Sequence, residues 1–524
     1  MDSVVVGSGP AGVMCAMALL DAGAGVLMLD VGEDLDSDKK DLVSRLARQN
    51  PVDWSREDYA AIMPPASSRI NGGPPLKTLF GSAFAYSRSG MITVSQAATN
   101  CTMSHAIGGL SRVWGAAVLP WEVLGWPRGC GDLKKFYDIV GREIGVGAVR
   151  DDLEKIHPLP HPLLQSLPAS VQSGYILSRM TRSAGTLDRR KMYFGRARLA
   201  VDTRAVSCKE EGICLGGCPY LLPYDATKTL QKLFKYKNFK YLPGHKVVSF
   251  RESGDRVEVV AETVPDSSPV SFNASRLFLA SGVLSTASIV AGAMAQNRAV
   301  FDLKYNPYFL LPAVLFRNFN VSGNKPGHSL AQLFIEIMDD HVSKNQIHLQ
   351  VYTYNPLMKD RIGGLCRNST FLKSVLERHL LGRLVAIQGY LSSSDAMPVR
   401  LVARRERKDS SVMLELSSGG TKKADAVISR VAVKLAANCR SLGFFPVLPM
   451  LYRGLPGDGN HIGSVFPMKE QPKEFETDAN GRLSGCSRVY IADASVLPEL
   501  QAPTLTFTVM ANAYRIGNGA AQKT

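Results

Sequence analysis

Residues 3–12 read Ser3-Val-Val-Val-Gly7-Ser-Gly9-Pro-Ala-Gly12, a short apolar run that breaks into Gly7-x-Gly9-x-x-Gly12. A helical pattern follows from Val13 to Asp21, and a second apolar run, Gly25 to Leu29, ends at Asp30. Each part of this stretch has a physical task. Gly7 allows a tight turn out of the strand, Gly9 lets the backbone approach a pyrophosphate, and Gly12 lets the helix pack close to the sheet. The helix N-terminus offers N–H donors and the positive end of a dipole to that pyrophosphate. Asp30 stands where a carboxylate can take ribose hydroxyls. A strand, a turn, a helix, a strand and an acid in this order predict an α/β, Rossmann-like dinucleotide-binding domain. A lone glycine-rich turn would not carry that reading; the frame around it does.

The chain has 524 residues, enough for two or more cores. Hydrophobic residues make up 45% and charged residues 20%, the composition of a globular protein. The apolar run from Val4 reads as the first strand of the fold rather than as a leader, and no uninterrupted apolar stretch reaches the length of a membrane span. Nine scattered cysteines, an odd number, argue against a secreted disulfide framework and make the cytoplasm the expected location. The net charge is +15, with basic residues gathered in Arg179–Arg204, Lys228–Lys240 and Arg400–Lys408. These clusters read first as solvated faces. They also suit an acidic, phosphorylated or nucleotide-linked substrate. No nucleic-acid module accompanies the charge, so nucleic acid is not an expected partner.

Further along, residues 34–95 are rich in proline and glycine and read as a loop excursion. Gly108-Gly-Leu-Ser-Arg-Val-Trp-Gly115 is a second glycine-rich turn. Val247–Glu252, Val257–Thr263 and Arg276–Ala280 read as strands, the last ending in Ser281-Gly282. From about Phe301 the runs Tyr308–Phe316, Ala331–Met338, Gln346–Thr353, Val399–Ala403 and Ser411–Leu416 have the spacing of an antiparallel sheet. Helical patterns cover Thr370–Leu384 and Ala424–Leu442. The expected organisation is a discontinuous nucleotide domain, 1–300 with 455–524, and an inserted antiparallel-sheet substrate domain, 301–454. A cysteine-containing segment, 205–225, lies inside the first.

Near the C-terminus, Val489-Tyr-Ile-Ala-Asp493 is a strand ending in an acid, and Ala502-Pro-Thr-Leu-Thr506 opens a helix through Arg515. A carboxylate beside a second helix N-terminus suits a long cofactor whose ring becomes anionic on reduction. That favours FAD over a nicotinamide. Within the turn Gly457-Asp-Gly-Asn-His-Ile-Gly-Ser464, His461 is the side chain whose ordinary pKa suits removal of a hydroxyl proton near neutrality.

These pieces resemble, in order, the glucose–methanol–choline (GMC) family of FAD oxidoreductases. The likeness covers the first turn, Gly108–Gly115, Leu279–Gly282, His461–Ser464 and the run from Asp478 to Arg515. It implies oxidation of an alcohol CH–OH to a carbonyl, with hydride passing to flavin. By that pattern Gly7, Gly9 and Gly12 hold the pyrophosphate and Asp30 the adenosine ribose. Val247 or Val248 runs beside the adenine, and Gly282 lies along the cofactor. Gly109, Ser111 and Trp114 lie by the flavin ring, while Asp493 holds the ribityl chain and pyrophosphate. Thr504 and Thr506 either contact the flavin or substrate or cap the last helix. His461 is the implied base.

Two departures from the family pattern stand out. The second catalytic His or Asn is replaced by Ala502, with Gln501 beside it, and the turn after His461 is one residue shorter. His461 then works alone, or Gln501 or another group such as Asn460 stands in. A different reaction on the same cofactor, such as epimerisation by transient oxidation, fits the same gap, as does an FAD-holding protein without turnover. The expected substrate is a small polar alcohol, sugar-like or glycosylated, and the electrons go to oxygen, a quinone-like acceptor or an acceptor protein. Finally, Cys208-x5-Cys214-x3-Cys218-Pro219 resembles a segment that carries a three-iron iron–sulfur cluster in some GMC-like dehydrogenases. Buried, reduced cysteines are the alternative reading of the same residues.

Overall fold

The computed structural model describes residues 2–63, 77–86, 92–94, 99–122, 125–295, 297–321, 327–355, 379–405 and 412–522. Its nucleotide-binding part is a five-stranded parallel sheet. The strand order is Val489–Ile491, Arg276–Leu279, Ser3–Val6, Val26–Leu29, Phe239–Leu242. Ser3–Val6 and Val26–Leu29 are buried at every residue, which is why they read as unbroken apolar runs rather than alternating ones. Helix Pro10–Asp21 packs along helix Thr506–Ala521. The approach is close because Gly517 faces the first helix: a Cβ there would stand 2.7 Å from the Cys15 carbonyl oxygen. A three-stranded antiparallel sheet, His245–Ser253, Arg256–Thr263 and Pro269–Ala274, leads into helix Val283–Met294, which packs against its first strand.

The second large sheet is antiparallel and seven-stranded. Its main path runs Phe444–Pro446, Tyr308–Leu315, Leu384–Leu391, Ile347–Tyr352, Leu333–Ile337, Met192–Arg196, and Tyr452–Arg453 also pairs with Tyr308–Leu315. Alternate residues, among them Ile335, Leu349, Val351, Val385 and Ile387, join a core with Ile176 and Met180 of helix Val171–Arg182 and with Val427, Ile428 and Val431 of helix Lys422–Ala437. The other face of the same strands is polar and also buried, with Glu336, His348 and Gln350 at 4% exposure or less. A five-stranded sheet joins the two parts, in the order Ile462–Gly463, Arg298–Tyr305, Val399–Arg404, Met413–Ser418, Ile92–Val94.

Several expectations meet a different outcome. The strand Met192–Arg196, from the segment assigned to the nucleotide part, pairs with Leu333–Ile337 in the antiparallel sheet. The excursion after Asp34 is not all loop. It holds helices Ser37–Ala47 and Arg56–Ile62, the second opened by a capping box between Ser55 and Asp58. Leu46, Trp54, Ile62, Phe80 and Ile213 give these helices a small core of their own. The pattern over Ala424–Leu442 breaks at Asn438 into Lys422–Ala437 and Cys439–Leu442. Most of the helix expected over Thr370–Leu384 falls outside the described residues, and Leu384 itself begins a strand. The basic cluster 179–204 is not wholly solvated either: Arg198 is 1% exposed and donates to the His157 carbonyl oxygen at 2.6 Å.

Candidate active site

One cavity of about 730 Å³ runs from Asp30 and Val247 at one end, past Gly9 and Gly282, to Trp114, Thr504 and His461 at the other. Three helix N-termini open onto it, those of Pro10–Asp21, Val283–Met294 and Thr506–Ala521. Their N-cap residues are Gly9, Gly282 and Leu505, and none makes a side-chain cap hydrogen bond. Backbone donors left over at a helix start favour negative charge. Three such ends along one cavity suit a dinucleotide.

The glycines are explained by what a side chain would meet. Gly7 has φ +97°, and a Cβ on it would stand 2.7 Å from the Ala280 carbonyl oxygen. On Gly12 it would stand 1.9 Å from the Gly7 carbonyl oxygen. Gly109 has φ +57°, and its Cβ would lie 3.3 Å from the Gly9 Cα, so the two glycine-rich turns abut. Gly282 has φ +85° and faces open space: a Cβ on it would meet no atom within 4 Å. The cradle is therefore both tight against the sheet and open toward the cavity, as FAD requires.

Ser8, the residue between the first two glycines, ties the cradle together. Its N–H donates to Asp30 Oδ2 at 3.1 Å and its hydroxyl donates to the same oxygen. Ser8 Oγ accepts from the Gly108 N–H at 3.0 Å. Burial pushes the Asp30 carboxyl up to about 6, against the pull of the Ser8 hydrogen bonds. At the far end of this part, Val248 is the extra residue of a β-bulge: Val247 pairs with Ala261 and Ser249 with Val260. Both Val247 and Val248 line the cavity.

The second turn is held by its own side chains. Ser111 Oγ donates to the Gly108 carbonyl oxygen at 2.6 Å and accepts from the Ala226 N–H at 2.9 Å. Trp114 Nε1 donates to the Tyr224 carbonyl oxygen at 2.6 Å, with the ring left on the cavity. Asp493 Oδ2 accepts from the Gly282 N–H at 3.0 Å and from Thr286 Oγ1 at 2.6 Å. Its Oδ1 accepts from the Ser495 N–H at 2.9 Å. Thr504 Oγ1 donates to the Ala117 carbonyl oxygen at 2.8 Å, so it does not cap the last helix.

His461 lies at the end of the cavity remote from Asp30. Its ring stacks on Tyr390 with centroids 4.5 Å apart and planes 20° from parallel. Its buried Nδ1 has no hydrogen-bond partner among the described residues. Burial above all, with a smaller contribution from the positive charge of Lys77, pushes the imidazole down to about 3 and keeps it neutral. Asn306 fixes the loop that carries it. The Asn306 N–H donates to the His461 carbonyl oxygen at 3.1 Å. Its Nδ2 lies 2.7, 3.2 and 3.0 Å from the carbonyl oxygens of Leu391, Leu500 and Gln501. Asn460, in the left-handed region at φ +56°, also lines the cavity.

Gln501 is placed elsewhere. Its Nε2 donates to the Glu122 carbonyl oxygen at 2.5 Å, and neither it nor buried Ala502 lines the cavity. Nothing among the described residues supports the three-iron expectation. Cys208, Cys214 and Cys218 border a cavity of only about 30 Å³, and among the described residues no group of three or more His, Cys, Asp or Glu could hold a metal ion. Burial pushes the thiols of Cys208 and Cys214 up to about 11 and raises that of Cys218. No described helix is long and apolar enough to cross a membrane.

Ser8, Asn306 and the polar sheet face are the parts that motif reading missed. The only sequence trace of the last is the alternation Ile347-His-Leu-Gln-Val-Tyr352.

Comparison with known proteins agrees with this geometry. Residues 451–513, which hold His461, Asp493 and Thr504, match the family model for GMC oxidoreductase. A comparison with curated proteins finds no match. Three solved structures share the fold. A pyridoxine 4-oxidase from Mesorbium loti is 13% identical with a TM-score of 0.57, over 99% of this chain and 98% of that one. A formate oxidase from Aspergillus oryzae RIB40 is 11% identical with a TM-score of 0.64, over 100% and 98%. An FAD-dependent oxidoreductase from Chaetomium thermophilum is 12% identical with a TM-score of 0.61, over 99% of each chain. The C-terminal segment thus matches the GMC oxidoreductase model, and the chain as a whole shares the fold of these oxidoreductases.

Proposed function

We propose that this enzyme oxidises a CH–OH group of a small, hydroxyl-rich substrate to a carbonyl, with His461 taking the hydroxyl proton. The supporting observation is the state of His461: a neutral ring whose buried Nδ1 lacks a partner among the described residues, in the same cavity as the dinucleotide cradle. A neutral imidazole is the form that accepts a proton. FAD, when bound, supplies the acceptor for the two electrons that leave the carbinol carbon as hydride.

The residues divide the remaining work. Gly7, Gly9 and Gly12 leave room for the pyrophosphate, beside the donors of the first helix. Asp30 takes ribose hydroxyls through the oxygen that Ser8 leaves unbonded. Val247 and Val248 border the adenine, and Gly282 keeps the cavity open along the cofactor. Asp493 orders the Gly282 and Ser495 backbones on which the middle of the cofactor rests. Gly109, Ser111, Trp114 and Thr504 shape the wall beside the ring, and the start of the last helix favours negative charge there. His461 and Asn460 face the substrate, with Tyr390 holding the imidazole plane. Gln501 has no part in this arrangement. The site is proposed to work in the cytoplasm.

The test is anaerobic. Polyols and sugars are mixed with the FAD-loaded enzyme and bleaching of the flavin is followed. The expected result is reduction by the wild type and loss of reduction in His461→Ala with FAD still bound. Full reduction rate in His461→Ala removes the base from the proposal.

A further inference from the structure

One wall of the cavity is the face of the seven-stranded sheet turned away from its helices. Gln350 and Gln388 stand directly across from each other on neighbouring strands, and Glu336 stands across from His348. Gln350, Tyr352, Gln388 and Tyr390 line the cavity. Polar groups this deeply buried must satisfy one another, so their donors and acceptors have to agree along the whole line.

The direction can be followed from Glu336. Burial would raise its carboxyl, but contacts with His348, His157 and Gln346 outweigh burial and hold it below its ordinary range. An ionised carboxylate only accepts. Its Oε1 lies 2.6 Å from His348 Nδ1, so that nitrogen carries a hydrogen. The amide nitrogen of Gln350 lies 3.1 Å from His348 Nε2 and donates to it, so Nε2 is the acceptor nitrogen of the ring. Gln350 Oε1 is thereby turned toward Tyr352, whose hydroxyl donates to it at 2.7 Å. The line agrees at its other end. Gln346 Nε2 lies 2.7 Å from Glu336 Oε2 and 2.7 Å from His157 Nε2, and His157 Nδ1 lies 2.9 Å from the Pro120 carbonyl oxygen. A phenol has one proton. With that proton directed inward, Tyr352 offers the cavity lone pairs alone.

We infer that Tyr352 is a specificity-determining residue that accepts a hydrogen bond from a substrate hydroxyl, and that Glu336, His348 and Gln350 lock it in that polarity. The hydroxyl lies 3.7 Å from where a Cβ on Gly115 would stand, at the seam between the sheet and the Gly108–Gly115 turn. The inference rests on the alcohol-oxidation reading and deepens it. The substrate carries a second hydroxyl, free to donate, besides the one that reacts. An ether or carbonyl at that point meets an acceptor with no donor and is rejected.

The lock can be read without turnover. In the Raman spectrum, the paired ring bands of a tyrosine change relative intensity according to whether its hydroxyl donates or accepts. The difference between FAD-loaded wild type and Tyr352→Phe isolates this residue. The donor pattern is expected in the wild type, lost in Gln350→Leu and restored in Gln350→Glu, which keeps an acceptor at that place. An acceptor pattern in the wild type overturns the inference, as does a donor pattern that survives Gln350→Leu. These outcomes do not depend on any alcohol being oxidised. For an alcohol that reduces the wild-type flavin, Tyr352→Phe is expected to raise KM roughly tenfold, the loss of one hydrogen bond, with kcat nearly kept. A fall in kcat with KM unchanged overturns the binding role.

Discussion

The two ends of the cavity are built from different materials. The cofactor end is backbone: glycines at fixed offsets, helix starts without caps, and one serine joining two turns. The substrate end is side chain: His461, Tyr390, Gln388, Gln350 and Tyr352 come from three segments of a sheet and a loop, with more than a hundred residues between the first and last of them. A backbone site tolerates almost any neighbour but no added carbon. A side-chain site tolerates added carbons but depends on which atom holds each proton. Substitutions should therefore fail in different ways at the two ends.

The largest expected effect is at the cofactor end. Gly12→Ala puts a carbon 1.9 Å from the Gly7 carbonyl oxygen, backbone against backbone, with no flexible atom to yield. Purified protein should carry essentially no flavin, measured as the ratio of flavin to protein absorbance. Gln388→Ala, on the sheet wall, should keep full flavin content. If both variants keep FAD, the contrast between the two ends is lost.

Next comes His461→Ala, which should lower the anaerobic flavin reduction rate by roughly 10²- to 10⁴-fold, the usual contribution of a positioned general base, with flavin content unchanged. A comparable loss of flavin would mean that the two ends are not separable.

A smaller effect concerns pH. The Asp30 carboxyl is raised to about 6 in the folded protein, above its unfolded value. The folded state therefore holds this proton more tightly, and the penalty for the buried charge is full above the folded pKa and fades as pH falls toward the unfolded one. Between pH ~7.5 and ~5 the apo-protein should gain about 1.4 kcal/mol of stability from Asp30 relative to Asp30→Asn. Urea unfolding of both proteins at the two pH values checks this, and an opposite sign would mean that Asp30 is not buried as described. Smallest is Gln501→Ala, whose side chain binds the Glu122 carbonyl away from the cavity. Flavin reduction should change by less than about twofold, as for surface positions generally.

The same contrast explains what could be read in advance. Close approach of backbone to a cofactor demands glycine at particular offsets, so Gly7, Gly9 and Gly12 carry their meaning locally, and Asp30 follows from one strand length. Ser8 could not be read, because its role depends on Asp30 and on Gly108, a hundred residues away. The polar wall was hidden for another reason. Alternation over Ile347–Tyr352 reads as one buried and one solvated face, whereas here both faces are covered. Gln501 illustrates the converse error. It sits next in the chain to Ala502, where the family resemblance implies a catalytic group, yet its side chain binds the Glu122 carbonyl away from the cavity. The helices within 34–95 went unread because proline and glycine around them outweighed a short capping box.

The parallel sheet has a consequence for biogenesis. Val4 pairs with Leu27 and Leu277, and Leu277 pairs with Val489. Strand Ser3–Val6 finds one partner close by in Val26–Leu29, but its other partner, Arg276–Leu279, is made more than two hundred residues later. Until then that edge has no native cover. Such long sequence separations slow folding and leave nascent chains prone to aggregate. Production of this enzyme should thus respond to chaperone supply and growth temperature more than to any single side chain in its active site.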